Sequence, residues 1–427
     1  MYFSEQWLRR IERHGGGVER ERRIEGGGNI TSRRFATYIS TQEKPFLAGS
    51  QAINKALEKL GEDPSMAFVV MTANYDKKVV LEAIKKTLEG VPIIGAIVSD
   101  TIYNEDTIAD TGVGVALWAT DSADITPFII KGLAKGEDEL VKEIRQRFEE
   151  LKIKRKYTYL LGIVPNVLEG LSVKMSRVLI RVSEIFDAVF VGVVGDFNPS
   201  PWSIIYNADT YSDHFAFLII ESDVKFGTLL SYGFHPTIPF KVTSAEDSVI
   251  KELNDTPVID ILRGLFERRG YNENELKDPV KAGKILSRFQ VAVADPSKAG
   301  RFKGSIIQSL DTSGLRIMTD VSTNDTVWIV EANLEEMIES TRKGVQKALG
   351  YIQNASSAGM IIFENHMRIQ ALGDDIDKDK SALRSALGLS FLGIPTVGEI
   401  IVHPDFYSGA HSGVMLGMLL ANKVEQP

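Results

Sequence analysis

A nine-residue string occurs twice in this chain. Residues 102–110 read IYNEDTIAD and residues 205–213 read IYNADTYSD, identical at six of nine positions. What precedes each copy repeats as well. Ahead of the first lie the apolar run Ala67–Thr72, a helical stripe of Val80, Leu81, Ile84 and Leu88, and a second apolar run within VPIIGAIVSD (residues 91–100). Ahead of the second lie Tyr159–Val164, the stripe Val178, Leu179, Val182, Ile185 and Phe186, and Ala188–Asp196. Continuous short apolar runs predict strands buried on both faces, and the stripes predict helices. Asn and Asp inside the string suit a tight turn, and an apolar strand follows each copy. Each copy therefore reads as a hairpin attached to a strand–helix–strand unit. Units of this kind stack against one another, because repetition buries faces that a single copy leaves open.

A looser third version occupies the C-terminal region. Ala358–Phe363 reads as a strand, Asp379–Leu387 as a helix, Phe391–Val402 as a strand pair, and His411–Ala421 as a final strand. Before it, Ser305–Gln308, Leu315–Met318 and Thr326–Val330 predict antiparallel strands, followed by a helix carrying Leu334, Met337, Ile338, Val345 and Leu349 on one face. Residues 266–303 are charged and read as a surface excursion. Residues 1–45, with two triple glycines among arginines and glutamates, read as a flexible charged segment. Their glycines lack the Gly-Lys-Ser/Thr ending of a phosphate-binding loop. The expected fold class is α/β (mixed α+β), with repeated β-α-β-β units forming two coupled lobes with mixed sheets. The expected divisions are 1–45, then 46–240 with two similar half units, then 241–427.

Charge and composition narrow the function. Lys+Arg number 49 and Asp+Glu 57, a net charge of −8. Such a chain has no bulk attraction for nucleic-acid backbones. With no cysteine, thiolate catalysis, thiolate-bound zinc and disulfides are excluded. The apolar runs fall short of the roughly 18 residues a membrane helix needs, and no secretory signal is visible at the charged start. We expect a cytoplasmic protein that acts without nucleic acid or membrane.

Four segments, in order, are similar to the FIST domain family, in its N-terminal and C-terminal halves. VPIIGAIVSD (91–100) resembles the family's apolar strand ending in Gly-Cys-Ser, with Ala96 and Ser99 in place of that ending. VFVGVVGD (189–196) resembles its double-glycine strand, here with Gly192 and Gly195 apart. GFHPTIPFKVTSAEDSVIKELNDTPVIDIL (233–262) resembles the junction between the halves through Gly233, Pro236, Val242, Thr243, Glu252, Leu253 and Pro257. GIPTVGEI (393–400) resembles the family's Gly-aromatic-x-x-Gly-Glu-Ile string, and follows GMIIFENHMR, where Arg368 keeps the family's arginine and no cysteine stands at the family's cysteine position. The resemblance covers residues 60–420. It implies a sensory module that binds a small ligand, with amino acids the ligand class usually proposed, and a signalling protein as partner. No fused output region is visible, so a stand-alone copy is expected.

Ligands of α/β sheets sit beyond the carboxyl ends of strands. Those ends here are Asn74–Tyr75, Ser99–Asp100, Pro165–Asn166, Asp196–Asn198 and Glu364–Arg368. An amino acid needs a donor fork for its carboxylate, and Arg368 suits that role; its structural alternative is an ion pair with Glu364 or Glu399. Glu399 lies in an apolar string, so it needs a partner or a ligand's ammonium. Asp196 and Asn198 are further candidates, with turn formation as their alternative, and Ser99 completes the set. His403, Asp405 and His411 lie close together, but Pro404 and Gly409 deprive their spacing of helical meaning, and no metal or cofactor is expected. The acidic stretch GDDIDKDK reads as solvated. Two other readings stay open: a hydrolase or lyase using Glu399, His366 or the His403/His411 pair, and an interaction scaffold tethered through the N-terminal segment.

Overall fold

The apolar runs become strands in a computed structural model of the chain, which describes residues 34–424 apart from 100, 133, 165–170, 195–202, 235–237, 272–274 and 276–278. One pattern of elements recurs three times. The first unit is β1 (Phe35–Ser40), α1 (Pro45–Leu60), β2 (Met66–Thr72), α2 (Lys77–Thr87), β3 (Ile93–Val98), the hairpin β4 (Ile102–Asn104) and β5 (Ile108–Ala109), and β6 (Val113–Trp118). The second is β7 (Ala123–Lys131), α3 (Glu137–Leu151), β8 (Tyr157–Val164), α4 (Leu171–Phe186), β9 (Ala188–Val194), the hairpin β10 (Ser203–Tyr206) and β11 (Asp209–Tyr211), and β12 (His214–Ser222).

The third unit opens with β13 (Gly227–Ser231) and is then interrupted. The insert runs β14 (Phe240–Glu246), β15 (Val249–Leu253), β16 (Thr256–Pro257), α5 (Val258–Arg268), α6 (Pro279–Leu286), β17 (Phe289–Ala294), β18 (Phe302–Asp311), β19 (Gly314–Ile317) and β20 (Thr326–Glu331). The unit resumes with α7 (Leu334–Tyr351), β21 (Ala355–Asn365), α8 (His366–Leu372), α9 (Ile376–Leu387), β22 (Phe391–Thr396), the hairpin strands β23 (Gly398–Val402) and β24 (Gly409–His411), and β25 (Met415–Lys423). The looser third version in the sequence is thus a full unit.

Each unit builds a sheet but does not complete it. The sheet orders are β1-β6-β2-β3-β10-β11, β7-β12-β8-β9-β23-β24 and β13-β25-β21-β22-β4-β5. Every hairpin leaves its own unit and extends a neighbour's sheet. The first unit's hairpin joins β22, the second unit's joins β3, and the third unit's joins β9. The exchange is a closed cycle of three. In all three sheets the central pair is parallel (β2–β3, β8–β9, β21–β22) and the flanking pairs are antiparallel. The mixed α+β class with mixed sheets is as the sequence led us to expect.

Burial explains why the strands read as continuous apolar runs. The inner faces share one core, with Phe68, Ile94 and Trp118 from the first unit, Leu161, Val191 and Leu218 from the second, and Ile361, Phe363 and Leu416 from the third. The outer faces pack under helices in three further clusters, one per unit. Strands covered on both sides need no polar alternation. The insert forms a second lobe. Its strands run β14-β20-β17-β18-β19-β15, all antiparallel, and β14 pairs with β15 to close a six-stranded barrel around Ile250, Phe266, Phe289 and Val291.

Two expectations are corrected. Folding starts at Phe35 rather than Phe46, because β1 pairs with β6 from Phe35↔Trp118 to Ser40↔Val113; residues 1–33 lie outside the described set. The segment 266–303 is not a mere excursion, since β17 within it is buried and pairs with both β18 and β20. The repeated string forms a hairpin twice, as expected, but with different turns. In the second copy Tyr206 pairs with Asp209 across Asn207 and Ala208, both at positive φ (48° and 64°). In the first, Tyr103 pairs with Ile108, and Asn104 Oδ1 accepts from the Asp106 and Thr107 amides. The Asn104 amide donates to the Thr107 carbonyl at 2.8 Å, so this turn sits one residue later and holds Glu105, where the second copy has Ala208. Its carboxylate accepts from Thr37 Oγ1 at 2.7 Å and from the Phe391 amide at 3.1 Å, pinning the loop between two units.

Candidate functional site

The carboxyl end of β21 carries a buried polar cluster. Helix α8 starts there, with Asn365 as its cap: Asn365 Oδ1 accepts from the Met367 amide at 3.0 Å. One turn on, Arg368 points inward and is fully buried. Its guanidinium pairs with Glu364 on β21 and donates to both Asp379 oxygens from α9, at 2.9 and 3.1 Å. It also donates to Thr341 Oγ1 on α7 at 2.9 Å. Lys380 completes the set, bonding Glu364 and, at 3.2 Å, Asp379. Two cations meet two carboxylates, so the cluster is electrically closed. Burial works to raise the Asp379 carboxyl, but Arg368 and Lys380 outweigh it and hold it well below the usual range. Burial likewise opposes the Arg368 charge, which Asp379 and Glu364 restore and strengthen.

Tyr103 reaches this cluster from another unit. It rides on β4, fully buried, with Lys380 Nζ 4.1 Å from its ring centroid and Phe391 edge-on at 6.3 Å. Burial and the Glu364 charge push its hydroxyl well up. Gly393, opposite Tyr103 in the strand register, makes the room.

Glu399 belongs to a neighbouring cluster and does not touch Arg368. Asn365 links the two: its Nδ2 donates to the Val397 carbonyl at 2.6 Å and to both Glu399 oxygens at 3.2 and 3.3 Å. Thr396 Oγ1 bonds the same carboxyl. With no cation beside it among the described residues, burial pushes Glu399 up to about 8 despite these bonds. It is therefore largely protonated at neutral pH, a buried acid able to donate. The unfolded chain releases this proton near the ordinary value of 4.5, whereas the fold keeps it to about 8. Between those values the native state binds more protons, so stability falls as pH rises and levels off above the upper value. Urea unfolding of the wild type should show this decline across the window, and Glu399→Gln should flatten it. Equal slopes would mean that Glu399 is already ionised in the fold.

The remaining expected residues divide. Ser99 follows β3 and is half-buried; Asp100, Pro165, Asn166, Asp196 and Asn198 lie outside the described residues. His366 sits at the surface of α8 against Gln370, away from the buried face that holds Arg368. His403 and His411 are buried rather than exposed, which pushes both down to about 4. His403 Nδ1 accepts from the Asp405 amide, and His411 Nε2 faces the Tyr407 carbonyl at 2.9 Å. Although His411 is the cross-strand neighbour of Glu399, no group of three or more His, Asp or Glu among the described residues is placed to hold a metal ion. Asp379 and Lys380, in the stretch that read as solvated, are buried members of the Arg368 cluster. No helix among the described residues is long and apolar enough to cross a membrane.

Comparison with known proteins adds two family matches. The FIST N domain matches residues 65–256 and the FIST C domain matches residues 270–402. No curated protein matches the chain. Among solved structures, a cyanuric acid hydrolase from A. caulinodans shares 12% identity over 46% of this chain and 72% of its own, with a TM-score of 0.25. A second cyanuric acid hydrolase structure shares 8% over 91% and 99%, with a TM-score of 0.29. PurLQS from Thermotoga maritima shares 11% over 92% and 73%, with a TM-score of 0.24. Likenesses this distant carry no inference about chemistry.

Proposed function

We propose, from the premise that this chain belongs to the FIST family and carries its N and C domains together, that it is a sensory protein binding a small polar metabolite. FIST domains are small-ligand sensory domains of signalling systems; the ligand class we favour is an amino acid, and the output a protein partner inside the cell. The single observation that carries this reading is the ordered match of both domains along most of the chain. We assign the ligand to the carboxyl ends of the parallel strand pairs. Ser99, Asp196 and Asn198 follow two of those strands in sequence and offer hydroxyl, carboxylate and amide groups. Arg368 and Glu399 act in this reading from behind, as positioning residues, since Glu364, Asp379 and Thr341 already occupy the Arg368 guanidinium.

A ligand that binds only the native state raises the melting temperature with its concentration. Thermal unfolding against the twenty amino acids should show one chemical class that stabilises the protein dose-dependently, and Asp196→Ala with Asn198→Ala should abolish that shift. No shift with any amino acid at millimolar concentration would overturn the ligand class, and a shift that survives the double variant would overturn the assigned site.

A further inference from the structure

A second site lies where three parts of the chain meet. The β17–β18 loop contributes Lys298, Ala299, Gly300 and Arg301; the end of α7 contributes Lys347, Gly350 and Tyr351; the loop between β23 and β24 contributes Asp405. Together they line an open cleft of about 610 Å³, within the size range of small-molecule sites. Three cations face it against one carboxylate, a local excess of positive charge on a chain of net charge −8. The cations are not equivalent. Arg301 is spent inside the protein, donating to the Pro404 and Phe406 carbonyls and so fastening the barrel loop to the hairpin loop. Lys298 and Lys347 form no salt bridge with any described residue. Lys347 Nζ instead sits 3.9 Å from the Phe406 ring centroid, held in place by the ring face. Burial lowers Lys347 from its ordinary value, and Arg301 and Lys298 add to that against Asp405. Such a group gains from an anion that restores the missing countercharge.

We propose that this cleft binds a compact phosphorylated metabolite, its phosphate held between Lys298 and Lys347. The choice of phosphate over carboxylate follows from which donors are free. The planar guanidinium that would grip a carboxylate bidentately is occupied, and two point-charge ammonium groups suit a compact, multiply charged anion. Asp405, also in the lining, already pairs with the Tyr351 hydroxyl and keeps further lone pairs for a hydroxyl or amine of the same molecule. A bound ligand would touch the barrel, α7 and the exchanged hairpin at once, joining the two lobes of the molecule. This site is separate from the strand-end site proposed above, and neither depends on the other.

Isothermal titration with inorganic pyrophosphate at low salt tests it on the full chain, with sodium sulfate as the control for charge alone. Saturable binding, weaker for sulfate and weakened at least about tenfold in Lys298→Glu, is the expected result. Lys298 is exposed, so that variant keeps the fold; Lys347→Gln supplies the second arm. Lys142→Glu, in the groove between α3 and α4, should leave affinity unchanged. No saturable heat in the wild type would overturn the proposal. So would an equal loss in Lys142→Glu, or sulfate binding as tightly as pyrophosphate.

Discussion

Arg368→Ala should unfold the protein or bring it close to unfolding. Removing this side chain leaves Glu364 and Asp379 buried with only Lys380 between them. Breaking a buried ion pair from one side costs about 3–5 kcal/mol, because the remaining charge can neither pair nor reach water. Folded domains hold only about 5–15 kcal/mol in total. The cost is spread over β21, α7 and α9, which Arg368 ties together through Glu364, Thr341 and Asp379. Urea unfolding followed by circular dichroism reads the loss directly. A paired variant separates charge imbalance from lost packing. Arg368→Met with Asp379→Asn leaves Glu364 and Lys380 as a balanced pair, so it should be more stable than Arg368→Ala. If the single variant unfolds at the wild-type urea concentration, the cluster contributes nothing and Arg368 is free for another role.

The second large effect comes from adding one carbon. Gly95 lies opposite Val69 in the parallel β2–β3 pair, and a Cβ there would stand 1.7 Å from the Val69 carbonyl oxygen. That atom is backbone and cannot rotate away. Overpacking a core side chain typically costs about 1–3 kcal/mol; here the strands themselves must part, so Gly95→Ala should exceed that range. Parting them also disturbs β3 as the seat of β10, whose Ile205 is the partner of Gly95. The expected outcome is insoluble protein, or soluble protein without a cooperative thermal transition. Gly350→Ala is the matched control, since a Cβ there meets nothing within 4 Å and it should melt like the wild type. A cooperative, wild-type transition for Gly95→Ala would mean that the β2–β3 pair is looser than its register implies.

Local patterns announced the strand–helix–strand units, since an apolar run or a 3.6-residue stripe is written into adjacent residues. The hairpins were equally plain from their turn residues. Their destination was not: β4 pairs with a strand nearly three hundred positions later, and no local signal encodes that choice. Strand β1 is hard to see in the sequence because FATYIS follows directly on a run of arginines and glycines. At the site, the ion pair of Arg368 with Glu364 was foreseeable from their spacing of four. Asp379 and Lys380 were not, because their neighbours in GDDIDKDK are polar and only the paired charges reveal that two of them turn inward. Glu399 stands out in the sequence as an acid in an apolar string, but its partners are an amide and a hydroxyl rather than a cation.

The cyclic exchange of hairpins bears on how the protein is made. As the chain leaves the ribosome, the first unit emerges with β3 exposed along one edge, and that edge stays uncovered until residues 203–206 arrive. The edge of β9 waits for residues 398–402. Meanwhile the first hairpin, complete by residue 109, has no strand to join until β22 is synthesised. Open edges of apolar strands invite pairing with other chains. No fragment cut at a unit boundary carries a finished sheet, so the nascent chain becomes self-sufficient only when residues 391–423 are in hand.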